Sequence, residues 1–377
     1  MMTAQPCSRL AALRRASQAM LEGRDEAMLR RQPHPELSPL LWHVGHVFFA
    51  ENYWLAERIF GDRSITAPWC GLYFPEECAK HTRGARLPGP RAMREWTDQV
   101  AVVNDHYWQR AAESGHELLQ HGYLQAFLRQ HYAQHLETMR LAAAQLDLEA
   151  GRGTATLQSP APARYRRVPV PAQRLRLGTP DVAAYDNEKP VHEREIAAFD
   201  IASRPVSNAE WLSFMQDGGY DRHELWDDDG WRWRCTVGID HPQHWRAADD
   251  GWHIAGHDGR EPIGDAPVHG IGWYEARAFA RHAGARLPAE HEWEAAARTV
   301  PLDATGQVWE WCDSAFKPYP GFRAFPYDGY SKPWFDGHHY VTRGASVHTE
   351  ADIRRPGFRN FYPPTHRHIC AGLRLAW

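Results

Sequence analysis

The sequence predicts a two-domain chain in which a four-helix bundle precedes a loop-rich α+β domain. With 377 residues, the chain is long enough to form two hydrophobic cores. Residues 1–150 carry apolar side chains at helical spacing, with Gly and Pro concentrated between the periodic segments. Residues 174–377 are instead dense in Gly, Pro, Trp, Tyr and Asp. This change of composition indicates a helical domain over 1–150 and a mixed domain over 174–377.

Four periodic segments in the first domain predict its helices. They cover residues 8–22, 38–60, 90–119 and 123–148. The breaks between them contain HPELSP, RLPGPRA and SGH, which are typical of turns and loops. Four helices of these lengths favour a bundle.

A linker and a second kind of domain follow the bundle. Residues 151–173 are rich in Pro and Arg and have no apolar period, which predicts a linker. In 174–377 only two stretches, 207–219 and 273–284, have helical spacing. The remainder predicts short strands and irregular loops held by buried aromatic side chains.

Composition excludes several classes of partner. The net charge is −4 and no basic block occurs, so nucleic acid is not an expected partner. No apolar run approaches the roughly 20 residues of a membrane-spanning helix. The N-terminus lacks the apolar core of a secretory signal, and the six cysteines show no CxxC spacing. These observations predict a protein of the reducing cytoplasm.

The stretch RQHYAQHLETM, residues 129–139, predicts half of a metal site. His131 and His135 are four residues apart on a predicted helix, so their side chains share one face and can bind the same ion. Glu137 lies about 160° around the helix from His135, at 100° per residue. We therefore expect Glu137 to support the site rather than to bind the metal.

A third ligand is expected from the second helix. His43 and His46 lie three residues apart there, and metal sites in helix bundles form between facing helices. Three histidines that leave coordination positions open suit Fe(II) or Zn. The spacing alone leaves both His43 and His46 possible.

Motifs in both halves resemble one enzyme family. SPLLWHVGHV and HYAQHLETM resemble the DinB-like helical domain of the ergothioneine sulfoxide synthases (EgtB) and of their ovothiol and selenoneine relatives (OvoA and SenA). PVHGIGWYEARAFARHAGARLPAEHEWEAAAR and VTRGASVHTEADIRRPGFRNFYPPTHRHICAGLRLAW resemble the formylglycine-generating-enzyme fold, a C-type-lectin-like fold, in the same order. The resemblance covers about residues 10 to 377.

The resemblance implies a non-heme Fe(II) enzyme with O₂ as co-substrate. The family's iron ligands correspond to His46, His131 and His135. His43 and Glu137 then lie outside the ligand set, in supporting positions. The implied reaction forms a carbon–sulfur bond on the imidazole of hercynine (histidine betaine) and gives a sulfoxide.

The resemblance also implies a set of substrate contacts. Gln134 matches a residue expected to hydrogen-bond the substrate imidazole. Phe361 and Tyr362 match the substrate-contacting loop, and their aromatic faces suit a trimethylammonium group. Arg367 is the first candidate to bind a substrate carboxylate, and the alternatives are Arg359, Arg374, Arg83 and Arg86.

A tyrosine near the metal is implied as the donor of a proton or electron. Its position matches Tyr319 of KPYPGF. Tyr327, Tyr330 and Tyr362 are alternative candidates.

The sequence departs from the family where the sulfur donor is expected. Relatives more often carry RGGSWATR, whereas this chain has RGASVHTE, with Val347 and Glu350 in place of Trp and Arg. The departure argues against a γ-glutamylcysteine donor and leaves cysteine or another thiol open. The alternative is a selenoneine synthase that takes a selenosugar.

Three other functions remain open. A DinB-like domain also fits a metal-dependent thiol transferase. The second domain also fits a non-catalytic binding module. Oxidation of a protein cysteine would need a reactive pair, for which only Cys312 and Cys370 are available late in the chain.

Overall fold

The structure, a computed structural model, describes residues 8–111, 113–151, 157–158, 164–256 and 259–377. The chain forms two compact units, a helical unit 1 and a mixed unit 2. Unit 1 comprises Met1–Glu149 and Glu350–Ile353, and unit 2 comprises Ala150–Thr349 and Arg354–Trp377. A helical region followed by an α+β region confirms the predicted fold class.

The regular elements in the described part of unit 1 are all helices. Its helices are α1 (Ser8–Ala19), α2 (Glu26–Arg30), α3 (Leu40–Asn52), α4 (Arg58–Phe60), α5 (Cys70–Tyr73), α6 (Lys80–Arg86), α7 (Pro90–Ala111) and α8 (Tyr123–Glu149). The four predicted helices correspond to α1, to α3 with α4, to α7 and to α8. None of the helices in the described ranges is long and apolar enough to cross a membrane.

Helix α3 is the central helix of the unit. Every residue from Leu40 to Asn52 is buried, which is typical of a helix with neighbours on all sides. A π-helical turn, Tyr53–Glu57, continues α3 into α4, and Gly61 ends α4 with a left-handed φ of +75°. Helix α7 ends at Ala111, before the predicted limit of 119, and Gly115 takes a left-handed φ of +63° in the turn that follows.

A buried carboxylate joins four helices of unit 1. Glu51 of α3 accepts hydrogen bonds from Arg14 of α1, from Trp108 of α7 and from Tyr132 of α8. The Trp108 Nε1 and Tyr132 hydroxyl donors lie at 3.1 and 2.9 Å. Because these donors come from three different helices, the network fixes the rotation of α3 within the bundle.

The segment Glu350–Ile353 joins unit 1 through ion pairs. Arg9 lies 2.7 Å from Glu350 and also pairs with Asp352. Arg140 of α8 pairs with Glu350, and Arg129 pairs with Asp352 at 3.3 Å. Glu350, one of the departures from the family pattern, is therefore held by two guanidinium groups.

Within its described residues, unit 2 combines four small sheets with four α-helices. The strands are β1 (Arg167–Val170), β2 (Gln173–Leu177), β3 (His192–Ile196), β4 (Phe199–Ala202), β5 (Trp245–Ala248), β6 (Gly251–Gly256), β7 (Gly259–Pro262), β8 (Trp309–Ala315), β9 (Tyr340–Arg343), β10 (Asn360–Tyr362) and β11 (Ala371–Leu373). The helices are α9 (Asn208–Gln216), α10 (Asp228–Val237), α11 (Trp273–His282) and α12 (Glu290–Thr299).

The largest described sheet has the order β10-β9-β8-β11, in which only β11 is parallel to its neighbour. The remaining strands form the pairs β1-β4 and β2-β3 and the three-stranded sheet β5-β6-β7. Large aromatic side chains fill the core, and the indoles of Trp211, Trp245, Trp293, Trp309 and Trp311 are almost completely buried. The expectation of an aromatic core is therefore confirmed.

Two helices and one strand of unit 2 differ from expectation. Helices α9 and α11 were predicted, but the prediction of only two helices was wrong because α10 and α12 are also present. Each spans only ten residues, too short for a clear helical period. The predicted linker, 151–173, includes strand β1, which pairs with β4. Residues 152–156 and 159–163 of that segment lie outside the described residues.

Candidate metal centre

Three histidines from two helices of unit 1 converge on one point. Helix α3 provides His46, and α8 provides His131 and His135. One ring nitrogen from each lies within 4.8 Å of the others, and the Nε2 atoms of His46 and His131 are 3.3 Å apart. In the described ranges this is the only such group of three or more potential ligands. These are the three residues that the family resemblance implies.

Two contacts hold His46 in one orientation. Its Nδ1 lies 2.8 Å from the carbonyl oxygen of Tyr73, so the Nδ1–H donates to that oxygen. The lone pair on Nε2 is then directed to the converging nitrogens. The ring of His46 also stacks on the indole of Trp42, with centroids 4.6 Å apart and planes at 14°.

The fourth histidine, His43, contacts a ligand instead of joining the group. Its Nδ1 lies 2.9 Å from Nδ1 of His135. When Nε2 of His135 presents its lone pair to a metal, the ring proton is on Nδ1. The Nδ1–H of His135 then donates a hydrogen bond to Nδ1 of His43.

Burial keeps all four imidazoles neutral. It lowers the pKa of His43 to about 3 and that of His131 to about 4, mainly because the charged form loses its hydration. Burial, aided by the neighbouring histidines and Arg83, holds the pKa of His46 and His135 well below the ordinary value. Neutral imidazoles present the lone pairs that a metal needs, so the site fits a divalent transition metal.

Comparisons with known proteins agree with this site. A family model for the sulfatase-modifying factor enzyme 1-like domain matches residues 156–300 and 301–377. A hercynine oxygenase from Mycolicibacterium thermoresistibile is 34% identical over 420 aligned positions, which cover 94% of this chain and 90% of that protein. A hercynine oxygenase from Mycobacterium tuberculosis is 32% identical over 411 positions, with 94% of each chain covered.

The chain belongs to the hercynine oxygenase family. The resemblance stated from the motifs is thereby confirmed. A formylglycine-generating enzyme from Bos taurus is 32% identical over 147 residues, but that alignment covers only 35% of this chain and 39% of that protein. The likeness to hercynine oxygenases, in contrast, extends over both units.

The two other predicted residues of α8 lie beside the histidines in sequence. Glu137 is buried at 4% exposure, and Gln134 is half-buried. Neither belongs to the converging group. The expected supporting role of Glu137 and the expected imidazole contact of Gln134 stay predictions.

Tyr319 lies in a charged environment within unit 2. Its hydroxyl accepts a hydrogen bond from Nη2 of Arg343 at 3.0 Å, and the guanidinium of Arg359 lies 4.2 Å from its ring centroid. Burial raises the pKa of Tyr319 to about 12. The side chain lines a cavity of about 440 Å³ together with His192 and Glu290. The phenol therefore carries its proton at neutral pH, as a proton donor must.

The alternative tyrosines differ in exposure and contacts. Tyr327 is 43% exposed, whereas Tyr330 stacks on Tyr185 at 4.2 Å. Tyr362 of β10 accepts a hydrogen bond from the side-chain amide of Asn360 at 3.0 Å.

The remaining predicted substrate contacts have partners within unit 2. Phe361 stacks on Phe316 with centroids 4.0 Å apart. Nε of Arg367 lies 2.9 Å from the buried carboxylate of Glu275, and Nη2 donates to the carbonyl of His241. A substrate carboxylate at Arg367 would therefore share the guanidinium with Glu275.

The contact between Trp42 and Arg83 was not predicted, since Arg83 was named only as an alternative for binding a substrate carboxylate. The guanidinium carbon of Arg83 lies 3.9 Å from the centroid of the Trp42 ring, and Arg83 is only 3% exposed. One signal was available for Trp42. It precedes His46 by four residues on the same helix, a spacing that brings side chains together.

Proposed function

We propose that the chain is an Fe(II)-dependent enzyme that joins a chalcogen to an imidazole carbon of hercynine, with O₂ as co-substrate. The convergence of His46, His131 and His135 in a chain of the hercynine oxygenase family carries this proposal. Fe(II) with three neutral ligands has open positions and supplies the oxidising chemistry that an unactivated imidazole carbon requires.

The overall reaction balances for a thiol donor. One thiol S–H and one imidazole C–H bond are broken, and one C–S bond forms. One oxygen atom of O₂ becomes the sulfoxide oxygen. The other combines with the two released hydrogens to give water. The four-electron reduction of O₂ is thus matched by oxidation of the sulfur and the carbon.

The chain's own residues would provide position and protons. His46, His131 and His135 would hold the metal, with His46 oriented by the Tyr73 carbonyl and His135 by His43. Tyr319, whose hydroxyl keeps its proton at neutral pH, is the proposed proton donor.

Hercynine binding is proposed for the residues that the family resemblance implies. Gln134 would hydrogen-bond the imidazole. Phe361 and Tyr362 would contact the trimethylammonium group through their aromatic faces. Arg367 would bind the carboxylate alongside its pairing with Glu275.

A selenosugar is the second candidate donor. Glu350 stands where relatives more often carry Arg, and its charge is already paired with Arg9 and Arg140. That position therefore offers no cation to a donor carboxylate. A sugar donor needs no such cation, and this observation favours the selenoneine-type reaction over one that uses γ-glutamylcysteine.

O₂ consumption tests the proposal directly. The Fe(II)-loaded protein is given hercynine with cysteine, γ-glutamylcysteine or a selenosugar in turn, and products are identified by mass spectrometry. We expect O₂ uptake and a new mass on hercynine with one donor only. Turnover without O₂ would support the thiol transferase alternative, and metal binding without any turnover would support a binding module.

A further inference from the structure

Arg83 of α6 is a buried cation without a carboxylate partner in the described part of the chain. It is 3% exposed. Its Nε and Nη2 donate to the carbonyl oxygens of Cys78 and Pro75, each at 3.0 Å. Its Nη1 donates to the hydroxyl of Ser38 at 2.6 Å. All three acceptors are neutral, so the positive charge is not cancelled by these bonds.

The other deeply buried arginine of this unit shows the usual arrangement. Arg14, at 5% exposure, has a bidentate ion pair with Glu51. Burying a charge without such a counter-charge is costly, so an unpaired buried guanidinium points to a role in a site. The neighbours of Arg83 show which site.

Trp42 connects Arg83 to the metal centre. Its indole contacts the guanidinium at 3.9 Å and stacks on the ring of His46 at 4.6 Å. The indole itself is fixed, because its Nε1 donates to the carbonyl of Leu72 at 2.9 Å. Arg83 is therefore separated from a metal ligand by one aromatic ring whose position is fixed by hydrogen bonding.

We propose that Arg83 is a positioning residue whose fixed charge makes the metal centre prefer anionic over neutral ligands at its open positions. The inference rests on the metal site of the proposed function. The three histidines are neutral and leave the charge of a divalent ion undiminished. A further positive charge nearby, in an interior of low dielectric constant, adds to the attraction for an anion and leaves a neutral ligand unaffected. The ligand class is a chalcogenolate, the thiolate or selenolate form of the donor.

Ligand binding to the Co(II)-substituted protein tests this without turnover. Azide serves as the anionic probe and imidazole as the neutral one, and both are titrated by visible absorption. In Arg83→Gln we expect the dissociation constant of azide to rise about tenfold, as expected for two charges separated by one ring. The dissociation constant of imidazole should stay within about twofold.

Arg86 provides the matched control. It lies on the same helix but is exposed, and it donates to the thiol of Cys78 at 3.1 Å. Because solvent screens an exposed charge, Arg86→Gln should leave both constants unchanged. Arg83→Lys retains the charge and should retain most of the azide affinity.

Three results would overturn the inference. Equal weakening of azide and imidazole in Arg83→Gln would mean that Arg83 only supports Trp42. No change in either would mean that its charge does not act on the centre. Arg83→Met is the second neutral variant if the Gln variant does not fold, and loss of azide preference in Arg83→Lys would also contradict the inference. Failure of the unmodified protein to bind Co(II) would instead reject the proposed metal centre itself.

Discussion

The imidazoles of His43 and His135 share a hydrogen bond between their Nδ1 atoms, which lie 2.9 Å apart. One comes from α3 and the other from α8, so the bond crosses between the two helices that build the metal centre. Partners of this kind fix which nitrogen of a ligand carries the proton and how its ring is turned. His43 thus affects the centre without belonging to the converging group.

Replacement of His43 should weaken metal binding without abolishing it. In His43→Leu, His135 loses the acceptor that orients it, and we expect about 10- to 100-fold lower affinity for Co(II) or Fe(II). His43→Asn offers a side-chain oxygen as acceptor and should recover part of the loss. Metal titration of the apoprotein measures both. An affinity unchanged in His43→Leu would show that the hydrogen bond does not support the site.

Replacement of the three converging histidines should have a larger effect. We expect His46→Ala, His131→Ala and His135→Ala each to abolish stoichiometric metal binding, because two ligands remain. Glu137→Gln serves as the control on the same helix as two of them, and it should keep the metal with weaker affinity. Metal content after gel filtration provides the measurement. Complete metal loss in a folded Glu137→Gln variant would place Glu137 among the ligands.

The apoprotein should lose stability as the pH falls below about 6.5. The pKa of His43 is lowered to about 3 and that of His131 to about 4, while the unfolded chain titrates near 6.5. Between these values the unfolded state binds more protons, so acid favours unfolding. Each such histidine should remove about 1.4 kcal/mol between pH 7.5 and 5.5.

Urea unfolding of the metal-free protein at the two pH values tests this effect. Between the two pH values, His131→Gln should lose less free energy of unfolding than the unmodified protein. The difference should be about 1.4 kcal/mol, the contribution of one histidine. Stability that is independent of pH over this range would mean that these imidazoles take up protons equally in the folded and the unfolded states.

The metal ligands were largely readable from the sequence, because their geometry is mostly local. The spacing of His131 and His135 on an uninterrupted helix is enough to place them on one face. The choice between His43 and His46 depends on the rotation of α3, which long-range bonds determine. One of these is the bond from Trp42 to the carbonyl of Leu72, 30 residues away in sequence.

Contacts in unit 2 were less predictable for the same reason. Arg367, which lies in the loop between β10 and β11, pairs with Glu275 of α11, far away in sequence. Arg343 and Tyr319 likewise meet only in the folded unit. A motif can place such residues in a family pattern, but the partner that occupies a guanidinium or a hydroxyl is set by tertiary packing.

Tyr319→Phe should alter the product rather than the metal site. Loss of the proposed proton donor should leave metal binding unchanged and shift turnover from carbon–chalcogen bond formation toward dioxygenation of a thiol donor. Tyr330→Phe, on the following part of the same loop, is the matched control. Mass spectrometry gives the ratio of the two products. The same ratio in Tyr319→Phe and the unmodified protein would transfer the role to another tyrosine.

Removal of Glu51 should destabilise unit 1 strongly. Its carboxylate accepts hydrogen bonds from Arg14, Trp108 and Tyr132, so Glu51→Leu leaves the buried guanidinium of Arg14 with only the partly exposed carboxylate of Asp105 as a counter-charge. We expect a loss of about 3–5 kcal/mol in the free energy of unfolding. The double variant Arg14→Met with Glu51→Leu removes both charges and should regain a large part of this loss. Urea unfolding of the single and double variants measures the coupling, and equal losses in both would show that the ion pair does not account for the effect.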